Sequence, residues 1–375
     1  MKKVLFIATV VKTHINVFHL PYIKMFKDNG YVTVVAAKND YQEREGLPRI
    51  PNCDKYVDVP FERNPFSPRN MKAYKMLKKM IESEAFDIVQ CNTPVGGVLG
   101  RLAARKVRKN GTRVIYIAHG FHFFKGSPAL SWLVFYPVEK LLSYMTDVLI
   151  TINKEDYNRA LRHFKAKNTV WLNGIGIDID KIAGCSADRY GLRHKLGIKD
   201  SDILLISVGE LRKLKNHELI IRAMSRLGDA SIHYAIAGSG QTRDELENLA
   251  MQLGLESNVH LLGFCDNVQE ILKASDIFCF PSHREGLPVA LMEAMAAGLP
   301  AVASDVRGNT DLIVPGKGGF LYSPDDAEGF AEGIRRLAQD QELRGSMGEY
   351  NKESIKAYDI KMIKEKLSNI YFASE

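Results

Sequence analysis

Pro281-Ser282-His283-Arg284-Glu285-Gly286-Leu287-Pro288-Val289-Ala290-Leu291-Met292-Glu293-Ala294-Met295-Ala296-Ala297-Gly298-Leu299-Pro300 is the densest signal in the chain. The apolar run before it, 277–280, reads as a strand, and Gly286 and Pro288 mark a turn. A helix is expected from about 288 to 298, with proline at its first turn and glycine just past its end. Strand, loop and helix in that order form the unit of a parallel sheet wrapped by helices. The N–H groups of Gly286 and Leu287 then lie near a helix start, where anions and hydroxyls are favoured. Glu285 falls on the loop and Glu293 about two turns into the helix, so the two carboxylates reach different parts of an extended ligand.

The same alternation runs outward in both directions. Short β-branched runs at 4–10, 32–37, 56–59, 87–91, 114–118, 147–152 and 169–172 predict strands in the first half, and runs at 203–208, 233–237, 259–262, 277–280 and 301–303 in the second. Between them lie stretches of helical period. The 70–84 stretch is read with Met71, Tyr74, Leu77 and Ile81 on one face and lysines opposite. A turn-rich break falls at Asn173-Gly174-Ile175-Gly176-Ile177-Asp178. The pattern is that of an α/β chain with two Rossmann-like halves, whose ligands sit beyond the carboxyl ends of the strands, in a cleft between the halves.

Other candidate residues also fall at strand ends. Ser207-Val208-Gly209-Glu210-Leu211-Arg212-Lys213-Leu214-Lys215-Asn216-His217 presents cations in a loop before a helix. His119, in Ala118-His119-Gly120-Phe121-His122-Phe123-Phe124, ends the 114–118 strand. Phe121, Phe123 and Phe124 fit either an acceptor-side wall or the core. Gly238-Ser239-Gly240 follows a strand but fails as a dinucleotide fingerprint, because Arg243 holds the third glycine position. Asp178-Ile179-Asp180 imitates a metal-binding D-x-D motif but lies in the central break, where a turn and helix start are expected.

Length and composition narrow the class. With 375 residues, 46% of them apolar and 25% charged, the chain suits two globular domains. Five cysteines, odd in number and without C-x-x-C spacing, argue against a disulfide framework or zinc site and for a reducing compartment. The apolar start ends at Lys12 with no cleavage site and reads as a first strand rather than a signal peptide. The closest approach to a membrane span, 129–150, is broken by Pro137, Glu139, Lys140 and Asp147. Residues 1–175 hold 28 Lys/Arg against 14 Asp/Glu, whereas the remainder is acidic. The basic half suits an anionic partner or a merely solvated surface. Its run Arg101-Leu102-Ala103-Ala104-Arg105-Lys106-Val107-Arg108-Lys109 lacks the interleaved aromatics of a nucleic-acid platform and fits an anionic membrane better.

The 281–300 segment resembles the E-x7-E signature of the family 4 retaining glycosyltransferases, which have the GT-B fold. The resemblance covers nearly the whole chain and is strongest over 208–322. It includes Val302-Ala303-Ser304-Asp305-Val306-Arg307-Gly308-Asn309-Thr310-Asp311 and Gly318-Gly319-Phe320-Leu321. It implies an acceptor-side domain over 1–172, a nucleotide-sugar-binding domain over 173–354, and a terminal helix at about 355–375 packed back on the first. It also implies that Glu285 holds the donor sugar's hydroxyls, Glu293 the ribose hydroxyls, and the amides of Gly286 and Leu287 sugar or phosphate. Carboxylates accept hydrogen bonds only, which suits vicinal diols. Lys215 matches the family lysine that stabilises the departing diphosphate. Glu210 stands where the family has arginine, and Arg212 is the candidate replacement. Gly238 matches a family glycine turn, and His119 would lie beside the donor sugar. Thr13, His14, His122 and Phe124 are the acceptor-side candidates, although the loop of Thr13 and His14 lacks the glycine pair of many relatives.

The function so implied is transfer of a sugar from a nucleotide diphosphate, UDP before GDP, with retention, to a glycan or lipid-linked acceptor. The setting would be bacterial capsule, exopolysaccharide or lipopolysaccharide synthesis, in the cytoplasm or on the inner membrane face. Neither metal nor cofactor nor nucleic acid is expected. A nucleotide-sugar 2-epimerase on the same fold and a nonenzymatic anion binder are the alternatives.

Overall fold

Val4-Leu5-Phe6-Ile7-Ala8 is apolar at every position, the pattern of a strand covered on both faces. The computed structural model describes residues 1–41, 46 and 48–372. It places this run in the middle of a parallel sheet, with all five side chains inaccessible to solvent. The chain divides into two compact units, Met1–Ile175 with Ile363–Glu375, and Gly176–Met362.

In the first unit, β1 (Lys3–Val10), β2 (Val32–Lys38), β3 (Lys55–Asp58), β4 (Ile88–Asn92), β5 (Arg113–Ala118), β6 (Val148–Thr151) and β7 (Asn168–Trp171) lie in the order 3-2-1-4-5-6-7, every pair parallel. The order reverses between β1 and β4, which opens a crevice at their carboxyl ends. In the second, β8 (Ile203–Val208), β9 (Ile232–Ala237), β10 (Val259–Gly263), β11 (Ile277–Phe280), β12 (Ala301–Ser304) and β13 (Gly319–Tyr322) lie in the order 10-9-8-11-12-13, again parallel, with the reversal between β8 and β11. This is the GT-B pattern of two Rossmann-like sheets.

All twelve strands expected from the sequence are present, with ends shifted by a single residue at most. The thirteenth, β13, is unexpected: it starts at Gly319, whose absent Cβ would sit 2.0 Å from the Ala301 carbonyl oxygen, so close pairing replaces strand propensity there. The Arg69–Glu84 helix buries Asn70, Ala73, Leu77 and Ile81. Met71, expected on that face, is 60% exposed, because the 3-4-4 spacing that leads to Ile81 runs through 70 and 73. Asp178 caps the Ile179–Ala183 helix by accepting from the Lys181 N–H, and Asp180 pairs with Lys361, so D-x-D is the expected helix start.

Two devices tighten the first unit. The Pro94–Arg108 helix lies on the sheet through glycines: a Cβ on Gly97 would meet the Tyr116 ring at 2.5 Å, and one on Gly100 the Cys91 sulfur at 2.6 Å. The Ile360–Phe372 helix buries Ile363, Leu367 and Tyr371. The Tyr371 hydroxyl donates to Gln90 Oε1 at 2.5 Å, and Arg113 donates to the Ile370 carbonyl at 2.6 Å. Residues 373–375 of the helix expected over 355–375 lie outside the described residues. No helix among the described residues is long and apolar enough to cross a membrane.

Gly97→Val should therefore lower the urea midpoint by the equivalent of about 2 kcal/mol or more, since the added atoms have nowhere to go. Gly345→Ala, where an added methyl meets nothing within 4 Å in a helix, should leave stability unchanged or raise it by about 0.5–1 kcal/mol.

Candidate functional site

In the second unit the site grows from the loops that leave β8, β11 and β12. Asn216 takes a left-handed conformation (φ 57°) after the Lys213–Lys215 turn, and its amide donates to the Pro281 carbonyl at 3.2 Å and the Pro324 carbonyl at 2.7 Å. The His283 N–H donates to the Leu214 carbonyl at 3.0 Å. These ties bring Lys215 Nζ to 2.7 Å from Glu285 Oε1. Both side chains are largely buried, and the ammonium also lies over the Phe280 ring, 5.1 Å from its centre. Gly238 supports this loop from behind: a Cβ there would lie 1.8 Å from the Gly209 carbonyl oxygen, so only glycine lets the β8 and β9 loops cross. The structure gives it the role of permitting this close approach of backbones.

Cations outnumber anions around Glu285. Arg307 Nε donates to the Glu285 carbonyl at 3.3 Å. Burial first, then the charge of Arg307, holds the Arg284 guanidinium below its ordinary pKa, with Glu285 opposing and Arg212 adding to the repulsion. Arg212 itself is half-exposed and donates to Glu210 at 3.1 Å, so the glutamate in the family's arginine position is neutralised by the arginine two residues on. Arg284 and Arg307 were not singled out in the sequence. Adjacency to Glu285 and membership of the 302–311 block were the available signals.

Gly286 and Leu287 form the turn into the Val289–Ala296 helix. A Cβ on Gly308 would lie 2.5 Å from the Gly286 carbonyl oxygen, which locks this turn against the β12 loop. Glu293 lies part-buried in the helix's second turn. Burial raises its carboxyl above the ordinary range, against a hydrogen bond from Gln269 and the charge of Lys181. Lys215 and Glu285 are thus joined directly, whereas Glu293 belongs to a neighbouring group with its own partners.

Behind the β8 loop a polar chain fixes the backbone. His217 Nδ1 lies 3.1 Å from the Tyr234 hydroxyl, which donates to Ser207 Oγ at 2.7 Å, which donates to the Cys279 carbonyl at 2.5 Å. Burial pushes the His217 imidazole down to about 4, against the ordinary 6.5.

The first unit supplies a different chemistry. After β1 the chain makes a wide helical turn over Val11–Ile15. Asp40 holds it, accepting from the Lys12 N–H at 2.6 Å and from the Thr13 hydroxyl at 2.9 Å. His14 Nε2 lies 3.2 Å from His19 Nε2, and the His14 and His119 ring centres are 4.7 Å apart. The ligand atoms of these three histidines all fall within 4.8 Å of one another, close enough to hold a metal ion. Burial pushes His119 down to about 4, and burial with the neighbouring imidazoles holds His14 and His19 well below 6.5, so all three are neutral at pH 7. His119 Nε2 is buried and has no hydrogen-bond partner among the described residues.

Beside this cluster lies a cavity of about 530 Å³. Thr9, Thr13, His14 and His122 are part of its polar lining, together with the charged Arg63 and Glu139, and Leu99 and Phe135 belong to its apolar wall. Thr93, at the β1/β4 reversal, also lines it, with φ 62° and ψ 157°, a region that side-chain-bearing residues enter at a cost of about 1–3 kcal/mol. Its hydroxyl lies 2.7 Å from that of Thr9. Neither threonine was singled out as acceptor-side. Phe121 and Phe123 stack at 4.9 Å and are buried, so they serve the core as well as the cavity wall. Phe124 is not among the lining residues: its N–H is turned onto Ser127 Oγ at 3.0 Å, which takes the chain away from the cavity.

Two family models match the chain: Glycosyltransferase Family 4 over residues 24–179 and Glycosyl transferases group 1 over residues 188–354. A putative glycosyltransferase, EpsD of Bacillus subtilis (strain 168), is 40% identical over 99% of this chain and 97% of its own length. The UDP-Gal:alpha-D-GlcNAc-diphosphoundecaprenol alpha-1,3-galactosyltransferase of Escherichia coli is 28% identical over 81% of this chain and 79% of its own. Among solved structures, Anabaena Alr3699/HepE in complex with UDP-glucose superposes with a TM-score of 0.80 at 18% identity, covering 99% of both chains, a likeness of fold.

The depressed imidazoles give a pH prediction. A histidine held neutral when folded binds its proton more readily when unfolded, so stability is lost as pH falls from 6.5 towards about 4, by about 1.4 kcal/mol per pH unit for each such group. His217→Gln should flatten that limb by about one proton in urea melts across the window.

Proposed function

The chain belongs to glycosyltransferase family 4 and is a glycosyltransferase of the GT-B type, and we propose that it moves a sugar from a UDP-sugar to a lipid-linked glycan with retention at the anomeric carbon. The Lys215–Glu285 pair at the carboxyl ends of β8 and β11, with Arg307 on the Glu285 carbonyl and Arg284 within electrostatic reach of Glu285, Arg307 and Arg212, is the observation that carries this reading. A nucleotide diphosphate brings negative charge that draws Lys215, while the donor sugar's hydroxyls offer donors to Glu285, so the ligand replaces the pair's mutual contact with one contact for each partner. Glu293, farther along the helix, is the partner for the ribose hydroxyls.

Glu285 is committed to Lys215 rather than poised to attack carbon, which favours a same-face displacement over a covalent intermediate. The bond from the anomeric carbon to the diphosphate oxygen breaks, the acceptor oxygen bonds to that carbon, and the acceptor's proton passes to the leaving phosphate. His119, a neutral ring whose Nε2 has no hydrogen-bond partner among the described residues, is read as a hydrogen-bonding group for a sugar hydroxyl. Charge on the leaving group is met by Lys215 and the arginines, so the chemistry is read as independent of a metal. The basic composition of residues 1–175 and the lipid-linked acceptor named for the Escherichia coli relative support an acceptor presented at an anionic membrane, in synthesis of a surface polysaccharide.

Lys215→Met and Glu285→Gln should each lower transfer by about 100-fold or more, at a stability cost of about 3 kcal/mol at most that leaves the protein folded under assay conditions. A screen of UDP- and GDP-sugars by thermal shift, followed by NMR of the anomeric proton in the product, checks donor and stereochemistry. Near-normal turnover in either variant, an inverted product, or complete loss of activity with a chelator would each reject a named part of the reading. Interconversion of the donor sugar without acceptor would point to an epimerase instead.

A further inference from the structure

The Ala129–Ser143 helix has its polarity turned inside out. Leu130, Leu133, Pro137, Leu141 and the C-cap residue Tyr144 recur at spacings of three and four, a single helical stripe. That stripe is the exposed one: Leu130 is 68%, Leu133 74% and Leu141 60% accessible, and Pro137 and Tyr144 are exposed as well. The acid is buried instead. Glu139 accepts from Arg101 at 2.8 Å, and the Arg101 guanidinium stacks on the Tyr116 ring at 3.9 Å, so Arg101 is not part of the basic surface its run suggested.

Positive charge frames this stripe. Lys140 and Lys125 are exposed on and just before the helix. Arg108 donates to the Tyr144 carbonyl at 3.1 Å, which brings the end of the Pro94–Arg108 helix, with exposed Arg105 and Lys106 and the following Lys109, against the end of the apolar one. A second copy would set these cations against their equivalents, whereas anionic lipid headgroups would pair with them. Fifteen residues span about 22 Å, too short for a bilayer core of about 30 Å, so the helix can lie in an interface but not cross it. Val134, Phe135 and Val138, off the stripe or at its edge, line the cavity described above.

We propose that this stripe docks on an anionic bilayer, its leucines among the acyl chains and Arg105, Lys106, Lys109, Lys125 and Lys140 on the lipid phosphates, and that the cavity behind it receives the apolar part of the acceptor. Only the last clause rests on the proposed function. The docking stands on the exposed stripe and the cations around it.

The test is co-sedimentation of the full chain with vesicles of phosphatidylcholine, alone or mixed with phosphatidylglycerol. Wild type should bind the mixed vesicles and bind phosphatidylcholine alone far more weakly. The double variant Leu133→Asp/Leu141→Asp should lose about 100-fold or more in partitioning, and Arg105→Gln/Lys106→Gln/Lys109→Gln about 100-fold. These side chains are at the surface, so the urea midpoint of each variant should match wild type and shows that the fold is kept. Wild type that stays in the supernatant, a leucine variant that binds as well as wild type, or a solution dimer dissociated by the leucine changes would overturn the proposal. Vesicle binding without sugar transfer would reject the proposed acceptor and leave the docking face standing. Transfer to a lipid-linked acceptor without vesicle binding would do the reverse.

Discussion

Between the loop that leaves β8 and the loop that leaves β11, an ammonium and a carboxylate meet at 2.7 Å, mostly out of water. Such a pair is worth little as a stabiliser, because desolvating both charges offsets much of their attraction. Its consequence is positional. Removing either partner would strand the other, so the loops are braced by groups that do not touch the pair: the Asn216 amide on two carbonyls, the His283 amide on Leu214, and the crossing that a bare Cα at Gly238 permits. The glycines and the buried His217–Tyr234–Ser207 chain set the geometry, and the charges inherit it.

The two units use opposite electrostatic strategies. The second concentrates permanent charge, with Lys215, Arg284 and Arg307 about Glu285 and Arg212 paired with Glu210 beside them, which suits a ligand of high negative charge. The first holds three imidazoles neutral by burial, with repulsion from neighbouring imidazoles adding to it for His14 and His19, and lines its cavity mostly with hydroxyls, aromatics and aliphatic side chains, Arg63 and the ion-paired Glu139 being the charged exceptions. Neutral donors and acceptors discriminate hydroxyl patterns without the desolvation cost of charge, which suits a sugar.

Legibility in the sequence followed the range of the interactions. Strands with every position apolar were readable because burial on both faces leaves no other solution, and β1 through β12 fell where expected. The strand at Gly319 was not, because its warrant is a backbone contact with Ala301 rather than any local propensity. Lys215 and Glu285 were named from a spacing and a resemblance, yet their direct contact depends on loops 70 residues apart in sequence. Arg284, Arg307, Thr9 and Thr93 escaped notice because single arginines and threonines have no periodicity to betray them. Phe124 was grouped with its neighbours, since a run of aromatics does not reveal where the chain turns, and the turn is made by Ser127. Met71 was assigned the wrong face because a lysine-rich helix with few apolar residues admits more than one stripe.

The Ala129–Ser143 helix shows how one buried contact can decide what a surface does. Its composition is apolar nearly throughout, so periodicity alone does not say which side faces water. Glu139 says it. Once Arg101, pinned on the Tyr116 ring, draws that carboxylate inward, the helix has no rotational freedom left. At about 100° per residue, Leu141 then lies about 200° away and Leu130 about 180°, both on the opposite side. A polar residue at 139 paired inward therefore obliges leucines outward, against the usual preference of a solvated helix. The exposed stripe is a geometric consequence of the ion pair beneath it, and swapping the roles of Glu139 and Leu141 would restore an ordinary polar face at the expense of the pair.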